Sequence, residues 1–77
     1  MKTWVYAWQS PDRKWASFFQ FKSYDQAKRS AVHSARVGSG RSRPWRSELE
    51  PKHTEKLWRS LRRDGWRIRR KRPENVA

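Results

Sequence analysis

Thr3-Trp-Val-Tyr-Ala-Trp-Gln-Ser-Pro-Asp-Arg-Lys-Trp-Ala-Ser-Phe-Phe-Gln-Phe-Lys22 holds two aromatic-rich segments, residues 3–9 and 14–22. Between them stands Ser10-Pro11-Asp12-Arg13, whose proline is pre-set for a bend and whose serine and aspartate suit a turn. The pattern predicts a β-hairpin. If the loop closes symmetrically, Trp8 pairs with Trp15, Tyr6 with Ser17 and Trp4 with Phe19, and Phe21 joins that face. Val5, Ala7, Ala16 and Phe18 then share the other face. A single bulge would slip this register and reassign Trp15, Phe19 and Phe21.

Outward from the hairpin, Ser23 is a good N-cap and Asp25 falls in a first helical turn. Tyr24, Ala27, Ala31 and Ala35 recur at spacings of three and four until Gly38, which predicts one helix. Its stripe is mostly alanine, so large rings on the hairpin are its size complement. Residues 38–51 break every period and form an irregular basic loop. Thr54 then opens a second helix with Glu55 in its first turn, Leu57, Trp58 and Leu61 on its apolar side, and Asp64-Gly65 at its end. Residues 66–72 alternate as a short strand with Trp66 and Ile68 inward and Arg67, Arg69 and Lys71 outward, and Pro73 ends it. The expected fold is a small single α+β domain over residues 1–72, with a tail at 73–77. Its order is β-β-α-α-β, with a three-stranded antiparallel sheet packed by two helices.

The chain has 77 residues, no cysteine, six tryptophans and a formal net charge of +13. A core this small has neither disulfide nor thiolate metal site to help it, so buried aromatics must supply its stability. No apolar run approaches a membrane span or a signal peptide, which gives the expectation of a soluble protein, cytoplasmic or nucleoid-associated, with no membrane partner.

Charge is uneven along the chain. Beyond residue 40, thirteen Lys and Arg face five Asp and Glu, a net of +8. A stabilised surface helix would alternate the two signs; Lys52, Lys56, Arg59 and Arg63 instead form one basic stripe if the second helix begins near Lys52, with Arg62 beside it. Arg41, Arg43, Trp45 and Arg46 make a cluster on the glycine-flanked loop that could follow a phosphate backbone and stack one base, or equally be a linker whose Trp45 plugs the core edge. Arg67, Arg69, Arg70, Lys71 and Arg72 form a basic strand that would add salt-sensitive affinity. Arginine dominates, and its planar fork suits phosphate.

These residues predict a small nucleic-acid-binding protein, for DNA or RNA, that contacts phosphates through the loop, the second helix and the last strand. The first alternative is an interaction protein, such as an inhibitor encoded by a phage or mobile element, that docks a Trp/Arg face on an acidic host protein or nucleoprotein complex. The second is a ribonuclease toxin. No cofactor, metal site or enzymatic activity is expected, because His33 and His53 lack partners at ligand spacing and Gly38-Ser39-Gly40 lacks the lysine of a phosphate-cradling loop. The sequence leaves the oligomeric state open.

The stretch Glu55-Lys-Leu-Trp-Arg-Ser-Leu-Arg-Arg-Asp-Gly-Trp-Arg-Ile68 resembles the helix, glycine and strand that open HicA-type RNA-cleaving toxins, which read Leu-x-x-x-Gly-Trp before a β-branched strand. It lies at the C-terminal end here, and no Gly-Ser-His follows it. The toxins' catalytic histidine therefore has no counterpart, and the resemblance does not imply their activity.

Overall fold

A computed structural model describes residues 4–38, 40 and 50–72. They form β1 (Val5–Gln9), α1 (Tyr24–Val37), α2 (Pro51–Asp64) and β2 (Arg67–Lys71). The two strands pair antiparallel, with Trp8 opposite Ile68, Val5 opposite Lys71 and Gln9 opposite Arg67. The domain is α+β as expected. However, its order is β-α-α-β and its sheet has two strands, in place of the expected β-β-α-α-β with three.

The missing strand has a simple cause. Residues 14–22 do return along the free side of β1, but they touch it only at two isolated bridges, Gln9 with Ala16 and Tyr6 with Phe21. Two residues, Ala7 and Trp8, separate the bridges on β1, whereas Ser17 to Gln20 separate them on the returning segment. A regular ladder cannot absorb that excess, so the segment bulges. Ser17 holds the bulge in place: its Oγ accepts from Trp8 N–H at 2.7 Å and its own N–H donates to Trp8 O at 2.9 Å. Phe18 is expelled into solvent at 81% exposure, and the expected pairing of Trp8 with Trp15 is already lost on the turn side of the bulge, where Gln9 faces Ala16 and Ser10 N–H donates to Trp15 O. Phe21 stays buried, but Phe19 leaves the core side, and Lys71 Nζ lies 4.7 Å from its ring centre.

Alternation along the strands sends Tyr6, Trp8, Ile68 and Arg70 to the helix side of the sheet, and Val5, Ala7, Gln9, Arg67, Arg69 and Lys71 to the other. On the helix side Trp8, 1% exposed, packs with Phe21, Ala27, Ala31, Val32, Trp58 and Trp66. The alanines of α1 admit the indole rings closely, with Trp8 and Trp66 centroids 5.6 Å apart. Buried indole N–H groups need acceptors: Trp8 Nε1 donates to Ser30 Oγ at 2.9 Å, and Trp58 Nε1 donates to Tyr24 Oη at 3.1 Å.

The helix signals act as read at α1, where Ser23 Oγ accepts from Gln26 N–H and Gly38 closes the helix at φ 66°. By contrast α2 starts at Pro51, a turn before Thr54, because proline is well suited to the first helical position and Thr54 faces the core. Gly65 ends α2 at φ 107°, and Trp66 N–H donates to Leu61 O at 3.0 Å. That reversal turns the chain straight into β2.

Candidate functional site

An earlier start to α2 completes its basic stripe: Lys52, Lys56, Arg59 and Arg63 are all exposed on the face opposite Thr54 and Trp58. Arg62 lies beside that stripe and turns toward α1, where its Nη1 donates to Tyr24 Oη at 3.4 Å. β2 contributes cations to both faces of the sheet. Arg67, Arg69 and Lys71 stand on the side away from the helices, whereas Arg70 and Arg72 lie 4.6 and 5.3 Å from the ring centre of Trp4.

Three depressions link these groups. The first lies between the helices and is lined by Tyr24, Lys28, Glu55, Trp58, Arg59, Arg62 and Arg63. Arg62 is also a wall of the second, which follows the outer edge of β2 past Gly65, Arg67 and Arg69. Gly65, Arg67 and Arg69 in turn line the third, a cleft of about 260 Å³ closed by Gln9, Ser10, Pro11 and Arg13. Among the described residues β2 pairs only with β1, so its outer edge is open. The shared walls therefore make one track, from the α2 face around the strand edge to the far side of the sheet.

The sign of that track is nearly uniform. Among the described residues Glu55 is the one acid lining it, and it is engaged by α1: Lys28 Nζ lies 2.6 Å from its Oε2, with Arg59 Nε at 3.8 Å from Oε1. The hydrogen bond and charge of Lys28 hold the Glu55 carboxyl below the usual carboxylate range. On Lys28, burial disfavours the charge, but the Glu55 hydrogen bond and the Glu55 and Asp25 charges outweigh it and raise the pKa. Among the described residues, Arg13, Arg63, Arg67 and Arg69 have no acid within ion-pair distance, and neither does Arg62.

The structure thus gathers Arg59, Arg62, Arg63, Arg67 and Arg69 on one path. Lys52 and Lys56 continue the stripe of α2 away from it, Arg70 and Arg72 cover the ring of Trp4 just before β1, and Lys71 covers that of Phe19 in the returning segment. Arg41, Arg43, Trp45 and Arg46 lie outside the described residues, as do most of the loop at 38–51 and the tail at 73–77. Two residues that sequence reasoning passed over belong to the path. Arg13 reads only as turn chemistry, and no sequence signal reports that its turn sits against Gly65. Tyr24 reads as part of the buried stripe of α1, yet as the first residue of that helix it is 39% exposed.

Among the described residues no group of three or more His, Cys, Asp or Glu side chains could hold a metal ion, and no helix is long and apolar enough to cross a membrane. No protein-family model, curated protein or solved structure matches this chain.

Proposed function

We propose that the protein binds single-stranded nucleic acid, DNA or RNA, by taking successive phosphates along the arginine track. The observation that carries this reading is the continuity of the three depressions, joined through Arg62, Gly65, Arg67 and Arg69, with Glu55, their single acid among the described residues, already paired. Arginine forks set along a groove match a phosphate backbone, which supplies affinity without sequence preference. The half-exposed Tyr24, beside Arg62, offers an aromatic side chain against which a base can pack.

The bend of the track favours a single strand over a duplex. A path that rounds one strand edge reverses direction over roughly 10 Å, the scale of one sheet layer, whereas duplex DNA stays straight over about 150 base pairs. Filter retention of a labelled 20-residue oligonucleotide as single strand and as duplex tests this. Single strands should bind at least about tenfold more tightly at 100 mM salt; equal or tighter duplex binding would reject the reading.

A second reading is favoured by one observation, the 81% exposure of Phe18 on its bulge. An exposed ring beside cationic side chains suits an acidic protein partner, since aromatic and arginine anchors dominate such interfaces. Capture from lysate that survives nuclease treatment and is lost in Phe18→Ser would support it.

A further inference from the structure

The cleft at the end of the track has features that a simple backbone contact does not require. Arg13 is the one non-glycine among the described residues with positive φ, at 58°. An L-residue reaches that conformation against its steric preference, and it persists only where the surroundings impose it. Here they do. Ser10 N–H donates to Trp15 O at 2.9 Å, Arg13 N–H to Ser10 O at 3.1 Å, and Trp15 N–H to Ser10 Oγ at 2.9 Å. Asp12 Oδ1 accepts from Ser10 Oγ at 2.8 Å and Lys14 N–H at 3.0 Å. The one acid of the turn is therefore used inside it, and these same donors hold its carboxyl below the usual range.

The turn is also fixed against the corner between α2 and β2. A Cβ on Gly65 would meet Pro11 Cβ at 3.1 Å, so the proline ring sits against the glycine backbone more tightly than a side chain there would allow. This seats Arg13 beside Arg67 and Arg69, more than fifty residues away in the chain. Arg13, Arg67 and Arg69 line a cleft of about 260 Å³ with no acidic residue in its lining among the described residues. Like charges so placed repel one another, and a compact dianion is the ligand that relieves them best.

We propose that this cleft is a terminal-phosphate site: it takes the phosphomonoester at the end of a nucleic-acid strand whose backbone follows the rest of the track. A monoester carries close to two charges at neutral pH and three acceptor oxygens, whereas each internal diester carries one charge. The next depression, past Ala7, Ala16, Ser17 and Phe19, shares Gln9 and Arg69 with this cleft but adds no further cation among the described residues, so the arginine-lined path stops here and an end, rather than a continuing strand, fits it. This proposal rests on the nucleic-acid reading above.

The test compares one single-stranded oligonucleotide sequence with a 5′-phosphate, with a 3′-phosphate and with hydroxyl at both ends, by fluorescence anisotropy. One phosphorylated form should bind about tenfold more tightly than the hydroxyl form, and which one does identifies the strand polarity. Arg13→Gly and Arg13→Asn both tolerate the left-handed conformation, so they should melt no lower than the native protein. Each should abolish the preference, so that the phosphorylated and hydroxyl forms bind within about twofold of one another, and should weaken the hydroxyl form by the one phosphate contact that Arg13 supplies to the track. Equal affinities for all three oligonucleotides, or a preference kept in both variants, would overturn the terminal-phosphate site and leave the track intact. Failure of the native protein to bind any of the three would overturn both.

Discussion

Replacing Arg67 and Arg69 together by glutamine should flatten the salt dependence of binding by an amount the structure fixes. Among the described residues, five cations on the track have no acid within ion-pair distance: Arg13, Arg62, Arg63, Arg67 and Arg69. Arg59 is left out because it shares Glu55 with Lys28. At about 0.7 counterions released per neutralised phosphate of a single strand, five contacts give a slope of log affinity against log salt of about −3.5. A rise from about 50 to 200 mM salt then weakens binding on the order of 100-fold. Without Arg67 and Arg69 the slope falls to about −2.1, and the same rise costs roughly 20-fold. Both side chains are exposed on β2, where glutamine is tolerated, so the melting temperature should stay near native. The control pair is Lys52→Gln with Lys56→Gln, equal in charge but outside the three depressions. Anisotropy titrations at several salt concentrations give the slopes. If the lysine pair lowers the slope as much as the arginine pair, binding is a diffuse property of the cationic surface and the track has no separate existence.

Other consequences concern the frame that holds the track. Gly65→Ala places a methyl 3.1 Å from Pro11 Cβ at a φ of 107°, which should cost about 1–3 kcal/mol in chemical denaturation and weaken oligonucleotide binding as the turn lifts away. Trp8→Ala removes the most buried ring of the core and orphans Ser30 Oγ. The expected loss is about 3–5 kcal/mol, a large share of the roughly 4–12 kcal/mol that a chain of this length possesses, so the variant should melt below or close to 37 °C. Stability should also fall at both pH extremes. Glu55 and Asp12 have folded pKa values below their ordinary 4.5 and 3.8, so their contribution is complete above those values and is lost as pH drops through the folded ones. Lys28 lies above its ordinary 10.5, so its contribution holds below that value and is lost as pH rises through the folded one. A melting series should be flat from about pH 5 to 10, and Glu55→Gln should reduce both arms, because it removes the shared partner.

Local signals were legible in the sequence where one residue decides one feature. Ser23 and Gly38 bound α1 as their chemistry requires, and Gly65 ends α2. Trp66, just before β2, and Ile68 on it turn inward while Arg67, Arg69 and Lys71 stay exposed. What could not be read was register. Alternating aromatics in residues 14–22 look like a strand, but the partner of each residue depends on where the excess of two is expelled. That is settled by Ser17 replacing a backbone bond with its hydroxyl and by Phe21 filling the core. The far end of the track was hidden for the same reason. Arg13 acquires a role only through the contact of Pro11 with Gly65, which no local pattern encodes.

The most direct test maps the ligand onto the fold. Two-dimensional NMR of the ¹⁵N-labelled protein, titrated with an end-phosphorylated single-stranded oligonucleotide, reports each backbone amide and each arginine Nε–Hε separately. The largest shifts should fall at Arg13, Tyr24, Arg62, Gly65, Arg67 and Arg69, with Arg36, Lys52 and Lys56 little changed. Shifts spread evenly over every cationic residue, or centred on Arg29 and Arg36 of α1, would contradict a phosphate track running from α2 around β2 to the Arg13 cleft.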